Sequence, residues 1–396
     1  MAGAKQVLIL GGGFGGLTSA NLIRKSLSQE ECEITVVDKN QHFMMGLVNL
    51  WILSGSRRLE DSQLALNKLE AKGIKFLNDE IKGIYPSENS VTTKTKTNPN
   101  KLKYDYLVMA LGAEVAPKLI DGFEDNDESC FNVYDAKQIP SLREKLLSMK
   151  SGRIVVCIAD IPYKCPPAPY EVSLLINDIL VKNATRDSID LNMYVPTPIA
   201  LPVAGPKMSQ DVVNLLNNNN INFHPLHKLK KVLDKKTIEF ENGNKTSYDV
   251  LAAIPPHRVP QVIKDSNLLA DGHQHWINVD RFTLRTKYKN VFAIGDVTEI
   301  RLDQTTIIPK AGIFAEGEAK IVSQQIINEI KNINSKKAKF DGKGFCFMEI
   351  GDKKAGYIDT DFYNEAGPIT RLDPPSGEFY QKKLDFERSR LNEWLM

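Results

Sequence analysis

The sequence predicts an α/β protein with two Rossmann-like (βαβ) nucleotide-binding-type domains plus a small C-terminal domain. Three observations carry that expectation. A glycine-rich turn separates an apolar N-terminal stretch from a helical pattern. A second strand–helix–strand run fills the middle of the chain. Short strands and an amphipathic stretch close it. At 396 residues the chain is long enough for two or three domains with a sizeable core.

The first element is the apolar run Lys5 to Leu10, read as a buried strand. Gly11, Gly13 and Gly16 then give the G-x-G-x-x-G spacing ahead of a helix pattern from Leu17. In that spacing the first glycine permits a tight turn. The second lets the backbone approach a pyrophosphate, and the third allows close helix–strand packing. The helix start offers free N–H groups and the positive end of its dipole to phosphate. A second strand, Glu33 to Val37, ends in Asp38, 22 positions beyond Gly16, where a carboxylate can accept hydrogen bonds from ribose hydroxyls. Two later strands end in small or acidic residues: Tyr104 to Ala113, which contains Ala110 and Gly112, and Asn290 to Asp296, which ends in Gly295-Asp296.

These three segments resemble the fingerprints of FAD-dependent pyridine nucleotide-disulfide oxidoreductases. The resemblance implies non-covalent FAD. It assigns the phosphate turn to Gly11, Gly13, Phe14 and Gly16, and the ribose end to Asp38 and Lys39. Ala110, Gly112, Gly295 and Asp296 complete the cofactor-binding set with Lys310, and Asp296 matches the family aspartate that bonds the ribitol chain.

The middle of the chain departs from the nicotinamide-using pattern. The strand Arg153 to Ala159 would there lead into a second glycine-rich phosphate loop. Here Ile161 to Cys165 offers no glycine, and Pro166, Pro167 and Pro169 follow. Proline removes backbone donors and fixes φ, so this loop cannot relax into a phosphate cradle. A helix from Tyr170 to Val181, a strand Leu191 to Val195 and a helix Ser209 to Leu216 come next. Hairpin strands from Lys231 to Glu241 follow, with a turn at Asn242-Gly243.

Cys165-Pro166-Pro167-Ala168-Pro169-Tyr170-Glu171 is the most specific segment. Through it, and over nearly the whole length, the chain resembles the sulfide:quinone oxidoreductases and the flavoprotein subunit of flavocytochrome c sulfide dehydrogenase. The resemblance implies that Cys165 pairs with a late cysteine on the flavin re face, matched here by Cys346. Cys130 matches a third family cysteine by position. Glu171 is implied to move protons beside the flavin. Lys310, in a segment resembling the helix that starts under the pyrimidine ring, is implied to stabilise reduced flavin and to bond a quinone oxygen. The implied activity is oxidation of sulfide or a small thiol, with electrons passed through FAD to a quinone or a cytochrome. A type-II NADH dehydrogenase-like activity is the alternative, and the missing glycine loop opposes it. The helix start near Tyr170 leads to the expectation of a lowered Cys165 pKa.

Two departures from the quinone-reducing pattern stand out. The loop 196–206 holds no histidine, which is closer to the cytochrome-linked branch. The stretch Gln41 to Gly46 holds no cysteine for a thioether, hence non-covalent FAD. The C-terminal stretch from Glu378 to Leu395 places Leu384, Leu391 and Leu395 on one stripe among basic residues. It predicts either a peripheral membrane surface or a helix docked on its own core.

Lys plus Arg is 51 and Asp plus Glu is 49, so bulk charge points to no nucleic acid. Cys32, Cys130, Cys157, Cys165 and Cys346 are too sparse for a disulfide framework, which suits a cytoplasmic chain. No apolar run reaches the length of a membrane span, and Met1 to Lys5 leads directly into the first strand, so no signal peptide is expected. No metal is expected, and a homo-oligomer is compatible with the reading. The expected division is an FAD-binding domain over residues 1–115 and 275–325, a second Rossmann-like domain over 116–274, and a C-terminal domain over 326–396 after a Lys/Asn-rich linker from Lys331 to Lys339.

Overall fold

A computed structural model describes residues 3–95, 101–126, 128–269, 276–303, 306–334 and 338–396; residues 335–337 of the expected linker lie outside them. In chain order, the first part holds β1 (Lys5–Leu10), α1 (Phe14–Ser26), β2 (Cys32–Asp38), α2 (Val48–Ser54), β3 (Lys75–Asn78) and β4 (Tyr106–Met109). The middle holds β5 (Cys130–Asn132), α3 (Ile139–Ser148), β6 (Gly152–Ile158), α4 (Ala168–Lys182), β7 (Ile189–Tyr194), α5 (Gly205–Asn218), β8 (Asn222–His224) and β9 (Val250–Ile254). Then come β10 (Val291–Ala293), α6 (Gly312–Ile330), β11 (Lys343–Gly351), β12 (Lys354–Asp361), β13 (Ile369–Ser376) and α7 (Gly377–Leu395).

Two parallel five-stranded sheets dominate. The first runs β10-β4-β1-β2-β3, so the late strand β10 completes a sheet begun at the N-terminus. The second runs β5-β9-β6-β7-β8. Parallel strands are covered on both faces, which explains the unbroken apolar runs: Val7 to Leu10, Ile154 to Ile158 and Val250 to Ile254 are all buried. Helices α1 and α6 pack together on the first sheet. An antiparallel meander, Leu229–Asp234, Thr237–Phe240 and Lys245–Ser247, covers the second, and Asn242-Gly243 lies in its second turn.

Three elements were not legible. Strands Ile81–Tyr85, Ser90–Thr93 and Lys101–Lys103 form a small antiparallel sheet ahead of β4, and α3 precedes β6. The strand β13 contains Pro374 and Pro375, which hide it from a propensity reading. It pairs only with β12, and an edge strand tolerates the missing N–H groups.

The closing helix α7 is docked on the protein. Ser376 Oγ caps it by accepting from the Phe379 N–H. Trp394 and Leu395 are buried, and Leu384, Phe386 and Leu391 pack against the same core. Its apolar stripe is therefore spent on this contact. Among the described residues no helix is long and apolar enough to cross a membrane.

Candidate active site

The phosphate turn has the shape its spacing requires. A Cβ on Gly16 would lie 1.8 Å from the Gly11 carbonyl oxygen, and one on Gly11 (φ +103°) would lie 2.3 Å from that of Ala110. Both positions thus admit only glycine. Gly13 and Gly112 differ, since a Cβ there meets nothing within 4 Å. Helix α1 starts from Gly13 with no side-chain cap and no acid in its first turn, so its orphan N–H groups remain free for an anion. The ring of Phe14 stacks on Phe386 and meets Trp394 edge-on, which leaves only its backbone N–H for a phosphate. Asp38 accepts from the Gly12 and Asn40 N–H groups at 2.7 Å each, holding the turn against the end of β2. Lys39 is exposed, 3.8 Å from Glu114.

Gly295-Asp296 follows β10 in a short turn, braced from both sides. Glu318 accepts from the Gly295 N–H at 2.6 Å. Lys310 donates to the carbonyls of Asp296 (2.7 Å) and Thr298 (2.9 Å), and its ammonium lies 3.4 Å from the centre of the Trp276 ring. Burial lowers Lys310 to about 8 and raises Glu318 to about 8. The ammonium expected to reach a quinone is thus committed to the turn. Burial also raises Asp296, against the pull of Lys310 and Lys164. Helix α6 begins next to this turn, again with no side-chain cap and no acid in its first turn.

Cys165 and Cys346 meet. Cys165 leads into α4 and Cys346 lies in β11, 181 positions later, yet the two free thiols are close enough to influence one another electrostatically. Cys165 is held at φ +53°, a left-handed conformation that costs a non-glycine residue about 1 kcal/mol or more. Its N–H donates to the Lys310 carbonyl at 2.6 Å and its carbonyl accepts from the Ala168 N–H at 2.9 Å. The segment before α6 therefore pins the cysteine next to the Gly-Asp turn. The neighbouring Cys346 thiol, reinforced by burial, holds the Cys165 thiol well above its ordinary range. This corrects the expected lowering, because partner and burial outweigh the helix N-terminus. An apolar cleft opens on Cys346, lined also by Pro166, Pro167, Pro309, Ala311 and Phe314.

Glu171, one turn into α4, is 2% exposed. Its carboxylate takes 2.8 Å hydrogen bonds from Lys383 and from the backbone N–H of Glu349. Lys383 also donates to Glu349 at 2.9 Å, and Trp51 Nε1 to Glu349 at 3.2 Å. Burial raises Glu171 despite Lys383. Burial opposes the charge on Lys383, but its two carboxylates prevail and push it up. The cluster ties α2, α4, β11 and α7 together beside Cys165.

Cys130 is elsewhere. It lies in a separate core cluster with Val155, Cys157 and Phe240, and its Sγ is 3.3 Å from the Tyr248 hydroxyl. Burial raises its pKa. It is not brought to the other two, since β5 places it on the face of the second sheet covered by the meander.

With that geometry in view, likeness to known proteins is informative. Residues 5–157 match the pyridine nucleotide-disulphide oxidoreductase family, and residues 140–255 match the central part of the sulfide dehydrogenase (flavocytochrome c) flavoprotein chain. A sulfide-quinone reductase of Aquifex aeolicus is 28% identical over 90% of this chain and 84% of its own. A mitochondrial sulfide:quinone oxidoreductase of Dictyostelium discoideum is 29% identical over 76% and 67%. The solved structure of the Aquifex aeolicus sulfide:quinone oxidoreductase superposes with a TM-score of 0.86 at 25% identity, covering 99% of this chain and 92% of that one. The chain resembles the sulfide:quinone oxidoreductases and the sulfide dehydrogenase flavoproteins over nearly its whole length.

The chain is a flavin oxidoreductase. The residues present fit FAD. Gly13 and Gly112 leave open space, and two helix N-termini lack competing acids. Replacing Gly13 by valine tests that fit: φ at this position is −94°, which valine adopts. The apoprotein should keep its unfolding free energy within about 0.5 kcal/mol. FAD affinity should fall by roughly tenfold or more as the side chain fills the phosphate space. Flavin fluorescence titration and urea unfolding measure the two.

Three side chains near the pair were missed by the sequence reading: Lys164, Tyr134 and His257. Lys164 sits in the glycine-free loop, and His257 follows Pro255-Pro256. The only signal for either was its adjacency to Cys165 or to the Pro255-Pro256 segment.

Proposed function

We propose that the chain oxidises sulfide at the Cys165–Cys346 pair and passes two electrons through non-covalently bound FAD to a quinone. The observation that carries this reading is the meeting of two thiols from distant segments beside the Gly295-Asp296 turn and the α6 N-terminus. They occupy the place where a nicotinamide enzyme would have its second phosphate loop.

In the oxidised pair, hydrosulfide attacks one sulfur and the S–S bond breaks. One cysteine then carries a persulfide and the other a thiolate. Closing these to a trisulfide releases two electrons and the persulfide proton. FAD, when bound, supplies acceptance of that electron pair. A second hydrosulfide removes the added sulfur as hydrodisulfide and restores the disulfide. The apolar cleft at Cys346 gives a growing sulfur chain a water-poor space. Lys310 and the α6 N-terminus favour negative charge near the Gly-Asp turn. Glu171 exchanges protons from within its ion cluster. The three remaining cysteines are buried, which leaves none to tether the cofactor.

A second reading keeps the sulfide chemistry and changes the acceptor to a cytochrome. It is favoured by the match of residues 140–255 to the cytochrome-linked flavoprotein and by the absence of histidine in loop 196–206. Because α7 is docked, attachment to a membrane surface would have to use other residues.

Anaerobic mixing tests the proposal. Sulfide should bleach the flavin promptly, NADH should not, and decyl-ubiquinone should restore the colour faster than cytochrome c. Prompt bleaching by NADH with none by sulfide would contradict it, and faster reoxidation by cytochrome c would select the second reading.

A further inference from the structure

Lys164 immediately precedes Cys165, and its ammonium has no hydrogen bond or ion pair among the described residues. It lies over the ring of Tyr134, with Nζ 5.5 Å from the centroid. Burial lowers its pKa, and Asp296 and Cys165 oppose that. Lys164 is half-buried, and a partly desolvated cation favours an anionic neighbour.

His257 provides an independent observation. It is fully buried, and its ring meets Tyr134 edge-on with centroids 5.1 Å apart. Its Nδ1 is 2.9 Å from the Pro255 carbonyl. A carbonyl can only accept, so Nδ1 carries the proton and Nε2 is left as a bare acceptor. That Nε2 is buried and has no partner among the described residues. Burial, with Lys164 as the foremost neighbouring charge, lowers the ring to about 3, so it stays neutral. Tyr134 joins the two to the redox pair: its hydroxyl donates to the Lys164 carbonyl, and both Cys165 and Cys346 act on it electrostatically.

One unpaired cation and one unpaired acceptor thus both lie against the tyrosine that neighbours Cys165. We infer that Lys164 and His257 form a hydrosulfide subsite, the ammonium holding the charge of the anion and Nε2 accepting its single S–H. The two demands together select this substrate. A neutral hydrogen sulfide molecule lacks the charge, and an organic thiolate has the charge but no S–H to give. The inference rests on the sulfide-oxidising reading and names the groups that confer its specificity.

The test uses the FAD-loaded full chain with sulfide and, separately, 2-mercaptoethanol. Flavin bleaching is followed by anaerobic stopped flow, and sulfur addition to the oxidised protein by intact mass. Lys164→Gln should raise the half-saturating sulfide concentration about tenfold or more, and Lys164→Arg should recover most of it. His257→Leu should narrow the preference for sulfide over 2-mercaptoethanol by about threefold or more. Bleaching by dithionite and the flavin-to-protein absorbance ratio should not change.

If wild-type protein bleaches with sulfide and Lys164→Gln shows the same half-saturation, the subsite assignment is wrong and the functional reading stands. Loss of FAD from Lys164→Gln at unchanged sulfide affinity also overturns it, since the lysine would then serve the cofactor. If the wild-type protein itself does not respond to sulfide, the functional reading fails and this inference fails with it.

Discussion

Cys165→Ser and Cys346→Ser should each reduce sulfide-dependent flavin bleaching by on the order of 10³-fold or more, and the double variant should be no worse than either alone. The equality matters more than the size. Two sulfurs that act as one disulfide cannot contribute separately, so removing the second after the first changes nothing. Serine preserves shape within a methyl group's reach, so FAD should remain bound in all three. Cys130→Ser provides the contrast. Its thiol packs against Tyr248 in another core cluster. Its bleaching rate should stay within about twofold of wild type, with a stability loss near 1 kcal/mol. A large rate loss in Cys130→Ser would show that the third cysteine reaches the site by a movement the structure does not display.

Lys383→Met should destabilise the protein by about 3–5 kcal/mol, because it strands two buried carboxylates that share one ammonium. Both Glu171 and Glu349 are nearly inaccessible, so neither can recover its lost partner from water. The loss should include undocking of α7, since Lys383 is the buried polar tie between that helix, α4 and β11. Amide exchange in residues 377–395 should rise more than exchange in β1. Adding Glu349→Gln to Lys383→Met should return part of the stability, since one of the two stranded charges is then gone. Urea unfolding at neutral pH measures both effects. Equal stability of Lys383→Met and wild type would mean that water reaches the cluster.

The sequence made the phosphate turn legible because its requirements are steric and local. Gly11 and Gly16 are spaced by the turn itself, and the contacts of 2.3 and 1.8 Å that a Cβ would make explain why no other residue serves. The strands of both sheets were legible for a similar reason, as parallel strands bury both faces and read as unbroken apolar runs. Long-range pairings were another matter. Cys346 was placed opposite Cys165 by family resemblance, since nothing in the 180 intervening positions encodes the contact. The Glu171–Lys383–Glu349 cluster was invisible because each member looks like a surface charge in its own helix or strand. Lys310 was located but its hold on the Gly-Asp turn was not foreseen: its two carbonyl partners lie 12 and 14 positions earlier, where a sequence gives no direction. The expected fall in the Cys165 pKa failed for the same reason, since the local helix N-terminus was visible and the distant partner's effect was not.

A peptide map of the air-oxidised protein, digested without reductant and read by mass spectrometry, addresses the central claim most directly. The account predicts a single cross-linked species joining the peptide of Cys165 to that of Cys346, with Cys32, Cys130 and Cys157 recovered as free thiols. Recovery of both Cys165 and Cys346 unlinked, or of either one bonded to a different cysteine, would contradict it.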